Sequence, residues 1–356
     1  MDFLREADDI DAIVPGVTDV YRRLRDSRHQ GIYTSLGRYY NHTIFARDAG
    51  MTAKFISDFD HETAWDTILT LASYQGRTTH RVTQEEPGRI HHEHRDFVAW
   101  QGSWYDRIGL KLAGRVWGAS NKQFITYFST DTTATYIRMV HKYATNIDPS
   151  ILERHVPQRD GSTVSLADSV TAAANWIVRQ VDQDGIFRIR RTNRWSLPYQ
   201  TFCDSVSAYV WSDGTPAAAS YDHAYIETQA YALDALQDAM RMLPSSPELH
   251  YWRLASEKLH KALFERFWIE TRQTFAPALF SRGRPMMPLD TELITTGWTL
   301  NASFWEHMPS KTDEQAHIIT LVRRLFSDDF LTDVGIRTRS ISTRNPLGDV
   351  IDYHGS

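Results

Sequence analysis

Apolar residues return every three or four positions in segment after segment of this 356-residue chain. Such a rhythm belongs to helices that each bury one face. Between Ser165 and Val181, the residues Leu166, Val170, Ala173, Ile177 and Val181 fall on one such face. Asp184 and Gly185 then stop the helix and open a short β-like arm reading IFRIR. A second stripe, Gln229, Leu233, Leu236, Met240 and Leu243, runs from Tyr225 to Leu243. A third, with Leu259, Leu263 and Phe267, follows from Pro247 to Trp268, and the intervening PSSPE turn makes the two an αα-hairpin. Helices are also expected over His61 to Tyr74, Asp48 to Ser57, Asp131 to Ala144, Thr295 to Glu306 and Asp313 to Phe326.

The segments between these helices are long and rich in His, Arg, Asp and Trp, notably Arg77 to Ala119 and Arg188 to Ala219. Long connections with their own chemistry are where function sits. Asp148 to Ser165 carries Pro, Gly and mixed charge but reads as a connection within the domain, not as a linker. The expectation is therefore one all-α domain over residues 1–356, with an N-terminal helical segment over 1–30 and short β-hairpins in the loops. No fixed repeat marks a solenoid.

A formal charge of −5 without a basic cluster argues against nucleic acid as a partner. The single cysteine, Cys203, allows no intrachain disulfide and suits a reducing compartment. The opening MDFLREADDIDAIVPG is acidic and lacks the apolar core of a signal peptide, and no run reaches the roughly 18 apolar residues of a membrane span. These features read as a cytoplasmic, soluble protein with no membrane partner. No motif calls for a metal or an organic cofactor.

Four segments place carboxylates beside arginine, histidine or aromatic rings. In HTIFARDAG, Arg47 and Asp48 precede a helix; Asp48 either caps it or binds sugar hydroxyls. In EEPGRIHHEHR, Glu93 and Arg95 stand among His91, His92 and His94, whose spacing is not that of a zinc pair on a helix, so a polar loop of ion pairs is expected. In YFSTDTTATYI, Asp131 reads locally as an ordinary helix start. In YQTFCDSVSAYVWSDG, Asp204 is flanked by Tyr199, Phe202, Tyr209 and Trp211, rings that can stack on a pyranose and desolvate a carboxyl. The alternative there is an acidic turn beside core aromatics. Asp213 ends that segment, and Glu227 begins the next helix near its apolar stripe, where a carboxylate needs a partner or a ligand. Cys203, beside Asp204, reads as a buried, inert thiol.

In order, TIFARDAG, ASYQGRTTHRVTQEEPGRIHHEHR, YFSTDTTATYI, YQTFCDSVSAYVWSDGTPA, YIETQAYALDAL, LHKALFERFW and GIRTRS with NPLGDVIDYHGS resemble the glycogen-debranching, amylo-α-1,6-glucosidase type of glycoside hydrolase. Its relatives are the glucoamylase-like six-hairpin enzymes. The resemblance covers roughly residues 32 to 356. It implies an (α/α)6 toroid whose helix-start loops line one sugar-binding mouth. It also implies inverting hydrolysis by two carboxyl groups roughly 6.5–9.5 Å apart.

By the same resemblance Asp204 matches the general acid, although Phe202-Cys203-Asp204-Ser205 stands where the family has Trp-Lys-Asp-Ser. Arg47, Asp48 and Glu227 match ligands of the terminal glucose, and Tyr353 and His354 match a late tyrosine-histidine pair. Glu93, Trp104, Asp131, Trp211 and Asp213 complete the candidate substrate-binding set. The family continues past the point matched by YHGS, and its general base lies in that continuation. The toroid is thus expected to be incomplete at its C-terminal end, with self-association through the open end.

The function expected is cleavage of α-glucosidic bonds at glucan or oligosaccharide ends. The alternatives are a non-catalytic carbohydrate-binding or scaffold protein and a sugar epimerase built on the same toroid. The epimerase would need histidine pairs spread over several helix starts, and here they cluster in one loop.

Overall fold

The structure is a computed structural model. It describes residues 16–25, 30–35, 40, 43–96, 104–118, 123–205, 207–218, 222–281, 286–301 and 311–343. Tyr353 and His354 lie outside the described residues. The chain divides into two compact units, Met1–Trp176 with Arg241–Pro244, and Ile177–Met240 with Ser245–Ser356.

In the first unit the helices are α1 (Val17–Leu24), α2 (Ala46–Ile56), α3 (His61–Ser73), α4 (Trp104–Trp117), α5 (Thr132–Asn146) and most of α6 (Leu166–Gln180). Helix α3 starts where Asp60 takes the Thr63 N–H at 3.0 Å, a side-chain cap that satisfies an otherwise unpaired donor. Its buried face is Ala64, Ile68, Leu71 and Ala72. Helix α2 meets α5 through small residues. A Cβ added at Gly50 would come within 3.1 Å of the Thr135 side chain, so glycine sets how closely the two helices approach.

Three short strands cross the start of this unit: β1 (Thr43–Phe45), β2 (Glu93–Asp96) and β3 (Gln123–Thr126). They form one antiparallel sheet in the order β1-β2-β3, with Phe45 opposite Glu93 and Glu93 opposite Thr126. The Asp148 to Ser165 connection holds a 3-10 turn and the hairpin of β4 (His155–Pro157) and β5 (Thr163–Ser165), inside the first unit.

The expected loop from Arg77 to Ala119 contains β2 and all of α4. Trp104, Ile108 and Leu112 do recur at four-residue spacing, but they lie on an exposed face of α4, so their period marks a helix without marking a buried stripe.

The second unit holds α7 (Ile226–Met242, except its last turn), α8 (Leu249–Ala262), a π-helical turn Leu263–Phe267, a 3-10 helix Ile294–Asn301 and α9 (Lys311–Leu325). Strands β6 (His223–Tyr225), β9 (Ala278–Phe280) and β10 (Met287–Pro288) pair in the order β10-β9-β6. Between β6 and β9 come β7 (Trp268–Ile269) and β8 (Thr274–Phe275), a hairpin; β11 (Leu331–Thr332) and β12 (Gly335–Ile336) form another.

In place of the single apolar stripe expected of it, α7 is buried on every side from Ile226 to Ala239. Its Ala-rich sequence permits that, because small side chains let neighbours approach all round. The IFRIR segment makes isolated bridges, Val181 to Phe187 and Ile189 to His223, in place of a regular hairpin. The turn before it needs glycine. Gly185 has φ +78° and a Cβ there would sit 2.4 Å from the Lys258 carbonyl oxygen. The segment expected to be helical from Thr295 is the 3-10 helix, and residues 302–310 lie outside the described residues.

Candidate active site

In the first unit the β1-β2-β3 register gathers functional groups at one end of the sheet. The chain leaves β1 at Phe45 and enters α2, carrying Arg47 and Asp48; β2 begins at Glu93; β3 ends at Thr126, five residues before Asp131. His92 ties the corner, its carbonyl accepting from Ala46 N at 2.9 Å and its N–H donating to Thr126 O at 2.6 Å.

Arg47 donates from Nε to Asp131 Oδ2 at 2.6 Å and from Nη2 to Ser129 Oγ at 3.0 Å. Ser129 Oγ in turn donates to Asp131 Oδ1 at 2.5 Å. Asp131 stands at the N-cap of α5 yet makes no side-chain cap bond. Asp131 does stand at a helix start, as its local pattern predicts, but its carboxylate is spent on Arg47 and Ser129 and not on the cap. Ser129 carries no signal of its own in the sequence, and only its position two residues before Asp131 could have suggested it.

Asp48 is the third residue of α2, not its cap, so the capping alternative is excluded. It bonds to Thr34 and lines a groove of about 540 Å³ with Tyr21, Leu24, Ile32 and Thr52. Asp48 is exposed at the surface of this groove, yet the protein mass around it desolvates the carboxyl enough to raise its pKa above the usual 3.8, with the Arg47 charge opposing and the Asp131 charge adding.

The polar-loop reading of the histidine segment holds only for its charged members. Glu93 and Arg95 form an ion pair at 2.5 Å, and burial raises the Glu93 pKa. His91, His92 and His94 are core residues. Neither ring nitrogen of His91 has a hydrogen-bond partner among the described residues, and its ring packs edge-on against Tyr74 and His94. Burial holds the His92 pKa down to about 3, with the Arg47 charge also lowering it, and burial holds His91 well below 6.5. Among the described residues no group of three or more His, Cys, Asp or Glu converges to hold a metal ion. Trp104, at the start of α4, is 60% exposed and stacks on Tyr105.

In the second unit Asp204 is half-buried and follows the buried Cys203. The rings beside it divide. Tyr199 and Tyr209 are core residues packed on Phe280 and on each other, Tyr199 donating its hydroxyl to the Ala217 carbonyl at 2.6 Å. Trp211 is buried as well. The expected wall of four rings open to a pyranose is therefore corrected to one, Phe202, which is 42% exposed and meets Trp298 edge-on. Trp298 also meets Tyr231, one turn beyond Glu227 on α7. Trp298 sits in a weakly periodic stretch, and nothing in the sequence singles it out.

Glu227 is 1% exposed at the first turn of α7. Its Oε1 accepts a short bond from the Thr201 hydroxyl and, at the long limit of 3.4 Å, one from Tyr209. The Glu227 charge adds to the burial that pushes the Tyr209 phenol well above 10. Thr201 stands three residues before Asp204, so Glu227 grips the segment that carries Asp204. Asp213 closes its own turn, Oδ1 accepting from Thr215 N at 2.9 Å and from its hydroxyl at 2.6 Å.

No protein-family model matches the sequence, and no curated protein matches it. Solved structures do. A GH63 mannosylglycerate hydrolase from Thermus thermophilus in complex with glucose aligns over 95% of this chain and 81% of its own, with a TM-score of 0.55 at 12% identity. The same hydrolase with Tris and D-glycerate aligns over 88% and 80%, with a TM-score of 0.54 at 14% identity. A glycosidase variant in complex with glucose aligns over 90% and 70%, with a TM-score of 0.54 at 13% identity.

The chain shares its fold with glycosidases. Similarity at these identities is a statement about fold, and function has to be argued from the sites. Among the described residues no helix is long and apolar enough to cross a membrane.

Proposed function

We propose that this protein is a glycoside hydrolase on an (α/α)6 toroid, of glycogen-debranching type, cleaving α-glucosidic bonds at the ends of glucans or oligosaccharides with inversion. The observation that carries the proposal is the tie, in the second unit, between Glu227 and the segment that carries Asp204. A half-buried acid, Asp204, is delivered by a segment whose Thr201 is bonded to the sequestered Glu227. A fold shared with glycosidases, two of them in complex with glucose, supports it.

In this reading Asp204 gives its proton to the glycosidic oxygen as the C1–O bond breaks, and water adds to C1 from the opposite face. Glu227 holds the acid segment through Thr201, and its burial keeps it from activating that water; the base is another carboxylate. In the first unit, Arg47, fixed by Asp131, and Asp48, exposed in its groove, are the groups assigned to sugar hydroxyls. Trp104 and Phe202 offer the exposed ring faces, and Glu93, Trp211 and Asp213 support the loops that carry these groups. Tyr353 and His354 belong to the same assignment. The site is cytoplasmic in this reading and needs no metal or organic cofactor.

The test is glucose release from maltotriose and isomaltose, with the anomer of the product read by proton NMR. Release of β-glucose by the wild-type protein, lost by about 10²–10⁴-fold in Asp204→Asn while sugar binding persists, is the expected result. Binding without release in the wild type would instead support a non-catalytic carbohydrate-binding protein.

A further inference from the structure

Arg339 is a cation folded into the second unit with 8% exposure. Its Nη2 donates to the carbonyl oxygens of Ser207 and Ala208, both at 3.0 Å. Its charge is also within electrostatic range of the Cys203 side chain. These groups bracket Asp204 along the chain, one residue before it and three and four residues after.

Among the described residues no carboxylate forms an ion pair with Arg339, and its Nε has no hydrogen-bond partner. A buried guanidinium without a counter-charge is costly and persists where packing alone would not serve. The backbone on either side of it is fixed. Arg339 bridges to Leu293, Ile294 N donates to Thr338 O at 2.9 Å, and Ser340 N donates to Glu292 O at 3.1 Å. Glu292 is itself held by Arg324 at 2.7 Å. The cation is thus a post set in firm ground, with the acid segment tied to it by two carbonyls.

We propose that Arg339 is a positioning residue for Asp204: by gripping the Ser207 and Ala208 carbonyls it sets where the Asp204 carboxyl stands relative to the glycosidic oxygen. The role assigned to Asp204 rests on the function proposed above, whereas the anchoring does not. The two are tested by different readouts on the full chain.

Hydrogen exchange reads the anchoring. In Arg339→Met, amides from Cys203 to Trp211 should exchange at least about tenfold faster while those of α7 stay unchanged, and Arg339→Lys, which keeps a donor in reach of a carbonyl, should restore part of the protection. Unchanged exchange in that segment would overturn the proposal, as would a uniform rise across the second unit.

Kinetics read the consequence. A displaced acid matters most for a leaving group that needs a proton. Arg339→Met should therefore lose about 10–100-fold in kcat on maltotriose, with KM moved less than about threefold, yet keep most of its rate on α-glucosyl fluoride. Equal losses on both substrates would overturn the positioning role. If the wild-type protein turns over neither substrate, the function proposed for Asp204 fails, and the exchange result alone decides whether Arg339 anchors the segment.

Discussion

Arg47 Nε lies 2.6 Å from Asp131 Oδ2, joining residues 84 positions apart, and the two side chains are only 16% and 2% exposed. Removing one member of such a pair leaves the other buried and uncompensated. Asp131→Ala is expected to cost about 3–5 kcal/mol in urea unfolding, and adding Arg47→Met to it should cost much less than the sum of the single changes. Strict additivity would show that the two groups do not act together.

Asp48 gives a pH-dependent outcome of defined sign. Its folded pKa is raised, so the native state holds the proton more tightly than the unfolded chain; stability from this group is full below 3.8 and is lost as pH rises through the folded value. Asp48→Asn removes this charge. Because the carboxylate is exposed and solvent screens most of the penalty, the variant should melt only slightly higher than wild type at pH 7, by at most about 1–2 °C, with no gain below pH 3.8. A lower melting temperature at pH 7 would contradict the desolvation argument. Weaker glucose binding in the same variant, by calorimetry, would show what this carboxylate is kept for.

The histidine segment predicts the acid limb. The His92 pKa is depressed from 6.5 to about 3, so the unfolded chain binds the extra proton more readily and stability falls as pH drops from 6.5 towards 3. Each such histidine contributes a slope of about 1.4 kcal/mol per pH unit where it titrates only when unfolded. His92→Gln should flatten the stability profile between about pH 6 and 4 by roughly that amount in denaturant titrations. An unchanged slope would place the acid sensitivity elsewhere.

Gly185 tests the fold independently of function. With φ +78° and a backbone oxygen 2.4 Å from any added Cβ, Gly185→Ala should destabilise by about 1–3 kcal/mol, since neither the loop nor α8 can yield without moving main chain. A substitution that leaves the urea midpoint in place would mean that the approach of the loop to Lys258 is looser than described.

The helices are legible because burial imposes a period on sequence, and α3, α6, α7 and α9 fall within a few residues of where their patterns place them. Helix α4 is hidden because its recurring residues, Trp104, Ile108 and Leu112, sit on an exposed face within a stretch whose composition marks it as loop. The strands β1, β2 and β3 are only three or four residues long, too short for an alternating pattern to stand out. At the candidate site, sequence finds the charged residues but not their company. Ser129 and Thr201 carry no signal of their own, and the contacts that matter join positions 82 and 26 residues apart. The aromatic count around Asp204 is visible, but whether a ring faces solvent or core depends on partners such as Phe280, far along the chain.

The β1-β2-β3 register also bears on how this fold diverges. Pairing holds Phe45 across from Glu93 and Glu93 across from Thr126, so the reach from Arg47 to Asp131 depends on the strand partners and on the residues just after Phe45 and Thr126. Sequence changes that keep the three strands in register leave that reach in place. A single deletion inside β2 would instead shift every opposing residue by one place.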